Sequence, residues 1–246
     1  MIIGSNKIFV EKLTSTNSYA GQLLIKDDVP EGTTVCTAFQ SAGKGQMGNQ
    51  WESEKGKNLL LSIILYPSMI LPSEQFLISM TISLGICDFL KRCSGNCTIK
   101  WPNDIYIFND KIAGILIEHS LIGNKIKSTI AGIGLNINQD KFLSDAPNPV
   151  SLKMITGIEY DLASSLDLLL SDLDKRYKQL IAGDFDQIRN EYILKLLRLN
   201  EWSDYIDSGG LFKGRIISVT AEGRLQIENN NGEIKEFSFK EVDFIL

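Results

Sequence analysis

The sequence predicts an α+β protein in which one large domain is followed by a small β-barrel. Its 246 residues, 43% of them hydrophobic, are enough for one large core and a small appendage. The longer N-terminal part mixes strand-like runs with amphipathic helical runs, whereas three short alternating segments near the end are typical of a barrel meander. We place the boundary between Trp202 and Gly209, with domains over residues 1–205 and 206–246.

The composition excludes several classes of protein. The net charge of -5 and the pI near 5.1 argue against a nucleic-acid-binding surface as the main function. Four cysteines and one histidine form no metal or disulfide spacing, so we expect free thiols in a reducing compartment and no metal site. The most apolar run, Phe76 to Leu90, is too short for a bilayer, and no signal peptide opens the chain. We therefore expect a cytoplasmic protein without a membrane or nucleic-acid partner.

The first elements are a strand from Lys7 to Leu13 and a helix that follows it. Two hydroxyl residues and an asparagine begin the helix, namely Ser15, Thr16 and Asn17. Ser15 or Thr16 fits the helix cap, which is the plainer interpretation. Because a helix N-terminus also attracts anions, a carboxylate or phosphate site is the alternative.

A glycine-rich segment follows the second strand, Thr33 to Phe39, and Gln40. It runs to Trp51 and contains Gly43, Lys44, Gly45, Gln46 and Gly48. Backbone N–H groups of such a mobile loop can approach an anion closely. The segment is not a dinucleotide fingerprint, because a buried strand from Asn58 to Leu65 follows it instead of a helix, and it lacks the Gly-Lys-Ser/Thr of a P-loop. An ordinary flexible connection and an anion clamp both remain open.

A buried helix from Pro72 to about Arg92 leads to a hairpin that carries several charges on an apolar frame. Pro102 bends the chain and leaves Asn103 and Asp104 at a turn beside the sheet. Charge is costly on such apolar surface unless something binds it. We therefore expect this hairpin to form the floor of a small-molecule site.

Lys111 lies just beyond the predicted turn of this hairpin. A two-residue turn at residues 109–110 pairs Lys111 with Phe108. The same register pairs Ala113 with Tyr106. Lys111 then lies between an aromatic ring and a small residue, where an apolar ligand fits. The alternative is that Lys111 extends to solvent at the end of the hairpin.

A further strand from Lys127 to Ile133 ends in spaced glycines followed by Asn136. Glycines in a strand suggest that something lies close against the backbone, and Asn136 offers both a donor and an acceptor. We assign two amphipathic helices, residues 161–180 and 185–197, to packing. The three alternating segments of the C-terminal meander are residues 214–219, 224–228 and 234–239.

Three lysines and one asparagine are set among apolar strands, and together they favour a site that binds anions. They are Lys44, Lys100, Lys111 and Asn136. Joining a carboxylate to the α-phosphate of ATP brings two anions together, which costs on the order of 4 kcal/mol at about 4 Å and an effective dielectric constant near 20. Placed ammonium groups offset this repulsion and stabilise the charge of the transition state. The single histidine, His119, lies on a predicted strand, so acyl transfer through a side-chain nucleophile is less favoured.

Five motifs resemble those of the biotin protein ligases, the biotin–[acetyl-CoA-carboxylase] ligases, in order and spacing over roughly residues 7–160. They are Ser15-Thr16-Asn17, Gln40 with Gly43-Lys44-Gly45-x-x-Gly48 and Trp51, Lys100-Trp101-Pro102-Asn103-Asp104, Lys111-Ile112-Ala113-Gly114-Ile115-Leu116-Ile117-Glu118, and Gly132-Ile133-Gly134-Leu135-Asn136. The resemblance implies a mixed α/β catalytic domain of the biotin/lipoate ligase type and an SH3-like C-terminal domain.

The resemblance also implies two half-reactions. Biotin and ATP, with Mg²⁺, give biotinyl-5'-AMP and pyrophosphate, and a lysine of a biotin carboxyl carrier protein then takes the biotinyl group. The implied catalytic residues are Lys111, Asp104 and Lys44. The implied biotin-binding residues are Ser15, Thr16, Asn17, Gln40, Gly43, Lys111 and Gly114. The implied ATP- or adenylate-binding residues are Lys44, Gly45, Gln46, Gly48, Trp51, Lys100, Asn103 and Asn136.

Two departures from the family pattern matter. Many members carry arginine at the positions of Lys44 and Gln46, and the glutamine removes a bidentate phosphate donor, which loosens the hold on the intermediate. The motifs begin near residue 7, which leaves no room for an N-terminal helix-turn-helix, so we expect a ligase without repressor function.

The alternatives are a lipoate or octanoate ligase or transferase, and a binding module whose barrel is a docking adaptor. The oligomeric state is open, with a homodimer as one alternative.

Overall fold

The computed structural model describes residues 1–26, 28–144 and 148–245, apart from the side chain of Met47. Five α-helices lie in these residues: α1 (Thr16–Lys26), α2 (Phe76–Cys93), α3 (Leu152–Thr156), α4 (Leu162–Ala182) and α5 (Phe185–Leu194). The strands are β1 (Lys7–Leu13), β2 (Thr34–Gln40), β3 (Leu59–Leu65), β4 (Thr98–Lys100), β5 (Asp104–Ile107), β6 (Asp110–Ile122), β7 (Lys125–Leu135), β8 (Trp202–Asp207), β9 (Gly210–Val219), β10 (Leu225–Asn229), β11 (Ile234–Phe237) and β12 (Val242–Phe244). The strands and helices predicted for residues 7–194 are present, and only the short helix α3 was missed.

The first seven strands form one sheet in the order β1-β2-β3-β7-β6-β5-β4. The central strand β3 is buried along its whole length because both faces of the sheet are covered. Leu61 and Ile63 face a large core shared with α2, α4 and α5. Ile64, on the opposite face, lies with Ala20 of α1. This two-sided burial explains why the sequence of β3 is apolar on both faces instead of alternating, with the buried Ser62 as its one polar residue.

The helix α4 has clear signals at both ends and packs across α2. The Asp161 side chain accepts a hydrogen bond from Ser164 N at 2.8 Å, and Gly183 ends the helix in the left-handed region at φ 86°. Arg176 joins three helices, since its guanidinium pairs with Asp88 of α2 and with Glu191 of α5. The predicted packing role of α4 is confirmed by its buried stripe of Leu169, Leu170, Leu173, Tyr177 and Leu180.

The hairpin of β5 and β6 differs from the predicted one. Its turn lies at residues 108–109, one residue earlier than expected. Lys111 is opposite Tyr106, and Ala113 is opposite Ile105, with a bulge between Ile105 and Tyr106. The predicted pairs were therefore wrong. A bulge inserts one residue into one strand, and a shift of one residue moves a side chain to the other face of the sheet.

The second sheet has five antiparallel strands in the order β11-β10-β9-β8-β12. It contains the three predicted segments and two strands that were missed, β8 and β12. Because β11 and β12 lie at opposite edges, the described residues form an open sheet instead of a closed barrel, which is compatible with an SH3-like domain. The division into two domains stays a proposal. Since β8 crosses the predicted boundary at residues 205–206, we now propose a boundary just before Trp202.

Within residues 1–26, 28–144 and 148–245, no helix has the length and apolar character needed to cross a membrane. The four cysteines are free thiols, as predicted. In the same part of the chain, no group of three or more histidine, cysteine or carboxylate side chains is arranged to hold a metal ion.

Candidate active site

A cavity of about 200 Å³ lies where the start of α1, the end of β2, the glycine-rich segment and the strands β5, β6 and β7 meet. Twelve predicted site residues line it: Ser15, Thr16, Asn17, Gln40, Lys44, Gly45, Gln46, Trp51, Asn103, Asp104, Lys111 and Gly114. Eight further residues complete the wall: Asn49, Gln50, Ile115, Leu116, Gly132, Ile133, Gly134 and Lys240. The fold thus gathers motifs that are far apart in the sequence into one site.

One wall of the cavity is polar and is built by the start of α1. Gln40 Oε1 accepts hydrogen bonds from Thr16 N at 2.8 Å and from Thr16 Oγ1 at 3.1 Å, so the end of β2 holds the first residue of the helix. Among the described residues, no backbone N–H of α1 donates to the side chain of Ser15 or Thr16, so the predicted side-chain cap is not seen and Gln40 accepts the first N–H instead. Neither Gln40 Nε2 nor the buried Ser15 hydroxyl donates a hydrogen bond to any described residue. Both groups are available to a bound molecule.

Asn17 has a different place in the same wall, since its polar atoms bind the protein. Asn17 Nδ2 donates to Glu118 Oε2 at 2.8 Å and to Leu116 O at 3.2 Å, and Asn17 Oδ1 accepts from Ser62 Oγ at 2.5 Å. Gly132 permits this packing, because a Cβ there would lie 2.9 Å from Asn17 Cγ. Asn17 therefore fixes α1 against the sheet.

Lys111 and Asp104 form an ion pair at the floor of the cavity. Lys111 Nζ lies 2.8 Å from Asp104 Oδ1, and the two side chains are 24% and 20% exposed. The aromatic ring beside the ammonium is Trp51, with its centroid 5.6 Å from Nζ. Phe108, the ring expected from the predicted register, is 80% exposed. Lys111 thus points into the site, as predicted, but through a different register and beside a different ring.

The indole of Trp51 lies flat on two glycines that face each other across β6 and β7. Gly114 and Gly134 are paired in register. A Cβ at Gly134 would lie 2.6 Å from Trp51 Nε1, and one at Gly114 would lie 2.8 Å from Trp51 Cζ3. The spaced glycines of the sequence suggested a close neighbour, and the neighbours are Trp51 at Gly134 and Asn17 at Gly132. Its buried Nε1 has no hydrogen-bond partner among the described residues.

The glycine-rich segment folds back on itself beside this indole. Gly45 N donates to Asn49 O at 2.7 Å, and Trp51 N donates to Gly43 O at 2.9 Å. Gly43 is required by packing, because a Cβ there would lie 2.6 Å from Trp51 O. Gly48 has φ 88°, which favours glycine. The segment therefore presents Lys44, Gly45 and Gln46 to the cavity, whereas Gly43 and Gly48 shape its backbone.

Lys100 and Asn136, both predicted to bind the adenylate, lie outside the cavity wall. Lys100 Nζ lies 5.6 Å from the centroid of Tyr106 and 5.3 Å from that of Phe244. Burial lowers the pKa of Lys100. Asn136 Nδ2 donates to Val150 O at 3.0 Å, while its buried Oδ1 has no partner in the described part of the chain. Their binding roles remain predictions.

Asn103 and His119 complete the set of residues named from the sequence. Asn103 lines the cavity, and its Nδ2 donates to Ile115 O at 2.7 Å, which ties the turn before β5 to β6. His119 lies on β6, with Nδ1 2.9 Å from Thr129 Oγ1, and burial lowers its pKa. His119 is therefore a structural residue of the β6–β7 hairpin, as expected.

The chain is similar to several known proteins. The model of the "Biotin/lipoate A/B protein ligase family" matches residues 9–137, just over half of the chain. The chain is 30% identical to the bifunctional ligase/repressor BirA of Bacillus subtilis, with 96% of this chain and 74% of that protein covered. It is 31% identical to the biotin–[acetyl-CoA-carboxylase] ligase of Paracoccus denitrificans, with 81% and 86% covered.

Among solved structures, a biotin protein ligase from Aquifex aeolicus in complex with biotin and ATP superposes with a TM-score of 0.81 at 25% identity, covering 98% of this chain and 99% of that one. These comparisons confirm the predicted fold, the resemblance and the type of enzyme, which is a biotin protein ligase. On its sequence and on its fold, the chain belongs to the biotin/lipoate A/B protein ligase family.

Proposed function

We propose that this protein activates biotin with ATP and transfers the biotinyl group to one lysine of a biotin carboxyl carrier protein. The observation that carries the proposal is the Lys111–Asp104 pair under the Trp51 ring, in a cavity that joins a polar wall to the glycine-rich segment. The relatives named above support the choice of biotin and ATP as substrates.

The polar wall suits the ureido ring of biotin, which carries one carbonyl oxygen and two N–H groups. Gln40 Nε2 can donate to the carbonyl oxygen, and the Ser15 hydroxyl can donate or accept. Thr16 holds Gln40 in place through two hydrogen bonds. Asn17 supports the wall without contacting the ring, because its polar atoms are already paired.

In the first half-reaction, a carboxylate oxygen of biotin attacks the α-phosphorus of ATP. The new O–P bond replaces the bond to the bridging oxygen, and pyrophosphate leaves with its electron pair. The Lys111 ammonium offsets the repulsion between the carboxylate and the phosphate and stabilises the charge that develops. Lys44 also lines the cavity, and we assign it to binding the phosphates.

In the second half-reaction, the neutral amine of the acceptor lysine attacks the anhydride carbonyl, and AMP leaves. The amine must lose a proton as the amide bond forms. Asp104 Oδ1 is paired with Lys111, whereas no described residue donates a hydrogen bond to Asp104 Oδ2. We assign Oδ2 to orienting the incoming amine and accepting its proton.

Mg²⁺ enters as the complex with ATP. Among the described residues that line the cavity, Asp104 is the one carboxylate, and it already pairs with Lys111. The wall therefore fits a magnesium ion held mainly by phosphate oxygens and water, which is common for this ion. That the protein lacks a repressor function stays a prediction. A homodimer stays one alternative for its oligomeric state.

The direct test incubates the purified protein with Mg-ATP and either biotin or lipoate. Released pyrophosphate, the mass of retained acyl-adenylate and labelling of a carrier domain are measured in parallel. We expect all three signals with biotin. Lipoate supporting the reaction while biotin does not would contradict the proposal, and binding of biotin without pyrophosphate release would favour the binding-module alternative.

A further inference from the structure

Ser62 of β3 is fully buried and lies behind the polar wall of the cavity. In the register of the sheet it is opposite Gly132, where the missing side chain leaves room for the Asn17 amide. A buried hydroxyl group costs free energy unless it is hydrogen-bonded. The Ser62 hydroxyl lies 2.7 Å from Thr16 Oγ1 and 2.5 Å from Asn17 Oδ1. Both of its contacts therefore belong to the wall.

The amide of Asn17 has one orientation that suits its neighbours. Asn17 Nδ2 donates to Leu116 O at 3.2 Å and to the carboxylate of Glu118 at 2.8 Å. A carbonyl oxygen and a carboxylate only accept hydrogen bonds, so Asn17 Oδ1 must face Ser62. An amide oxygen also only accepts. The hydroxyl proton of Ser62 is therefore committed to Asn17.

The Thr16 hydroxyl then has one proton for two contacts. Thr16 Oγ1 lies 3.1 Å from Gln40 Oε1 and 2.7 Å from Ser62 Oγ. Because the Ser62 proton is committed, the Thr16 hydroxyl is the donor that either contact needs. Donation to Gln40 leaves two hydroxyl oxygens facing each other at 2.7 Å without a proton between them. Donation to Ser62 instead forms the shorter hydrogen bond and leaves the longer contact without a proton.

These two positions of the hydroxyl proton present different groups to the cavity. Gln40 Oε1 has two lone pairs, and the backbone N–H of Thr16 occupies one of them at 2.8 Å. When the Thr16 hydroxyl donates to Ser62, the second lone pair is free for a ligand. The Gln40 amide then offers an acceptor beside its Nε2 donor. That pair matches the N–H and the carbonyl oxygen of a cyclic urea.

We propose that Ser62 is a positioning residue that determines the specificity of the biotin site. When biotin binds, the Thr16 hydroxyl rotates and donates to Ser62, which frees Gln40 Oε1 to accept a ureido N–H. This assignment rests on the proposed function. The proton stays on Thr16 Oγ1 throughout, so no covalent bond forms or breaks. Ser62 acts through Thr16 and Gln40 and does not contact the substrate itself.

The test measures the Kd for biotin by calorimetry in the absence of ATP, so the result does not depend on catalysis. Ser62→Ala removes the second acceptor of Thr16, which keeps the hydroxyl on Gln40 Oε1. Since one hydrogen bond to the ureido ring is lost, we expect the Kd to rise by about tenfold. Ser83→Ala removes a fully buried hydroxyl of α2 that donates to Ser79 O, and it should leave the Kd unchanged.

A double variant separates this role from a purely structural one. Thr16→Val removes the hydroxyl proton that competes for Gln40 Oε1, so this oxygen is free with or without Ser62. Adding Ser62→Ala to Thr16→Val should therefore raise the Kd by less than about twofold. An equal rise in the two backgrounds would show that Ser62 only supports Asn17, and it would overturn the proposal.

Two biotin analogues test the specificity directly, each with one ureido N–H replaced by an oxygen atom. The wild-type protein should bind one of these cyclic carbamates about tenfold more weakly than biotin. Ser62→Ala should bind biotin and that carbamate alike. The same preference for biotin in both proteins, or no preference in the wild type, would contradict the role of Ser62.

Pyrophosphate release with Mg-ATP, measured on the same samples, reports on the proposed function separately. A wild-type protein that binds biotin but releases no pyrophosphate would contradict the proposed function, while the comparison of Kd values would still decide the role of Ser62. A wild-type protein that binds no biotin would contradict both.

Discussion

The indole nitrogen of Trp51 lies so close to Gly134 that a Cβ on that glycine would be only 2.6 Å away. Trp51 follows the glycine-rich segment, and Gly134 lies on β7, so this contact joins two motifs that are far apart in the sequence. The ring also lies 5.6 Å from Lys111 Nζ. Small residues at positions 114 and 134 thus decide where the ring lies and which groups surround the Lys111 ammonium.

Gly134→Ala should therefore displace Trp51 and weaken both folding and activity. We expect a loss of about 1–3 kcal/mol in the free energy of unfolding, because the added methyl group overpacks the site. Adenylate formation should slow, since the ring no longer lies beside Lys111. Urea unfolding and pyrophosphate release measure the two effects.

A matched glycine and a double variant control this prediction. Gly21→Ala adds the same methyl group in α1, where it would meet Ile130 at an ordinary 3.8 Å, and it should not destabilise the protein. When Trp51 is already replaced by alanine, adding Gly134→Ala should lower the free energy of unfolding only slightly, because the clashing ring is gone. Equal costs of Gly134→Ala with and without Trp51 would show that the ring is not the reason for the glycine.

Lys111→Ala should slow adenylate formation by more than about tenfold, since it removes the ammonium group that we place nearest to the reacting anions. Single-turnover formation of biotinyl-5'-AMP is the measurement, because it separates chemistry from product release. Lys125→Ala, at the exposed tip of the β6–β7 hairpin, is the control and should leave the rate unchanged. A wild-type rate in Lys111→Ala would mean that another lysine neutralises the carboxylate.

Asp104→Asn should separate the two half-reactions. The amide keeps the shape of the side chain but cannot accept the proton of the incoming amine. Transfer from preformed biotinyl-5'-AMP to a carrier domain should fall by about tenfold or more, while adenylate formation falls less. If both half-reactions slow by the same factor, Asp104 acts only by holding Lys111.

Because Lys100 is partly buried, we expect the free energy of unfolding to depend on pH in the alkaline range. Burial lowers the pKa of Lys100 below its ordinary value of 10.5, so the unfolded chain binds this proton more tightly than the folded protein. The unfolding free energy should therefore gain an increment as pH rises through the window between the lowered pKa and 10.5. The difference between the wild type and Lys100→Met, measured by urea unfolding across that window, isolates the increment.

The exposed residue Lys125, replaced by methionine, is the control for Lys100→Met. The curve for Lys125→Met should run parallel to that of the wild type, since no buried charge is removed. A curve for Lys100→Met that is also parallel to the wild type would show that Lys100 is solvated in the folded protein.

Local sequence patterns were enough to predict the strands of the large sheet, the buried helix α2, the amphipathic helices and the motifs of the family. These features depend on the spacing of apolar residues, on glycines and on short blocks such as Trp101-Pro102-Asn103-Asp104, all of which are local properties of the chain. These patterns also predicted that Lys111 and the glycine-rich segment belong to one site, and both line the same cavity.

Long-range packing fixes the register of the β5–β6 hairpin, the neighbour of Lys111 and the position of Lys240 on the cavity wall. The bulge at Ile105 and Tyr106 depends on packing across the sheet, and periodicity cannot detect a shift of one residue. Lys240 is far in sequence from Trp51 and Lys111, and no local pattern connects them. They meet because Phe239 packs on Trp101, a contact that exists only after the two sheets have folded against each other.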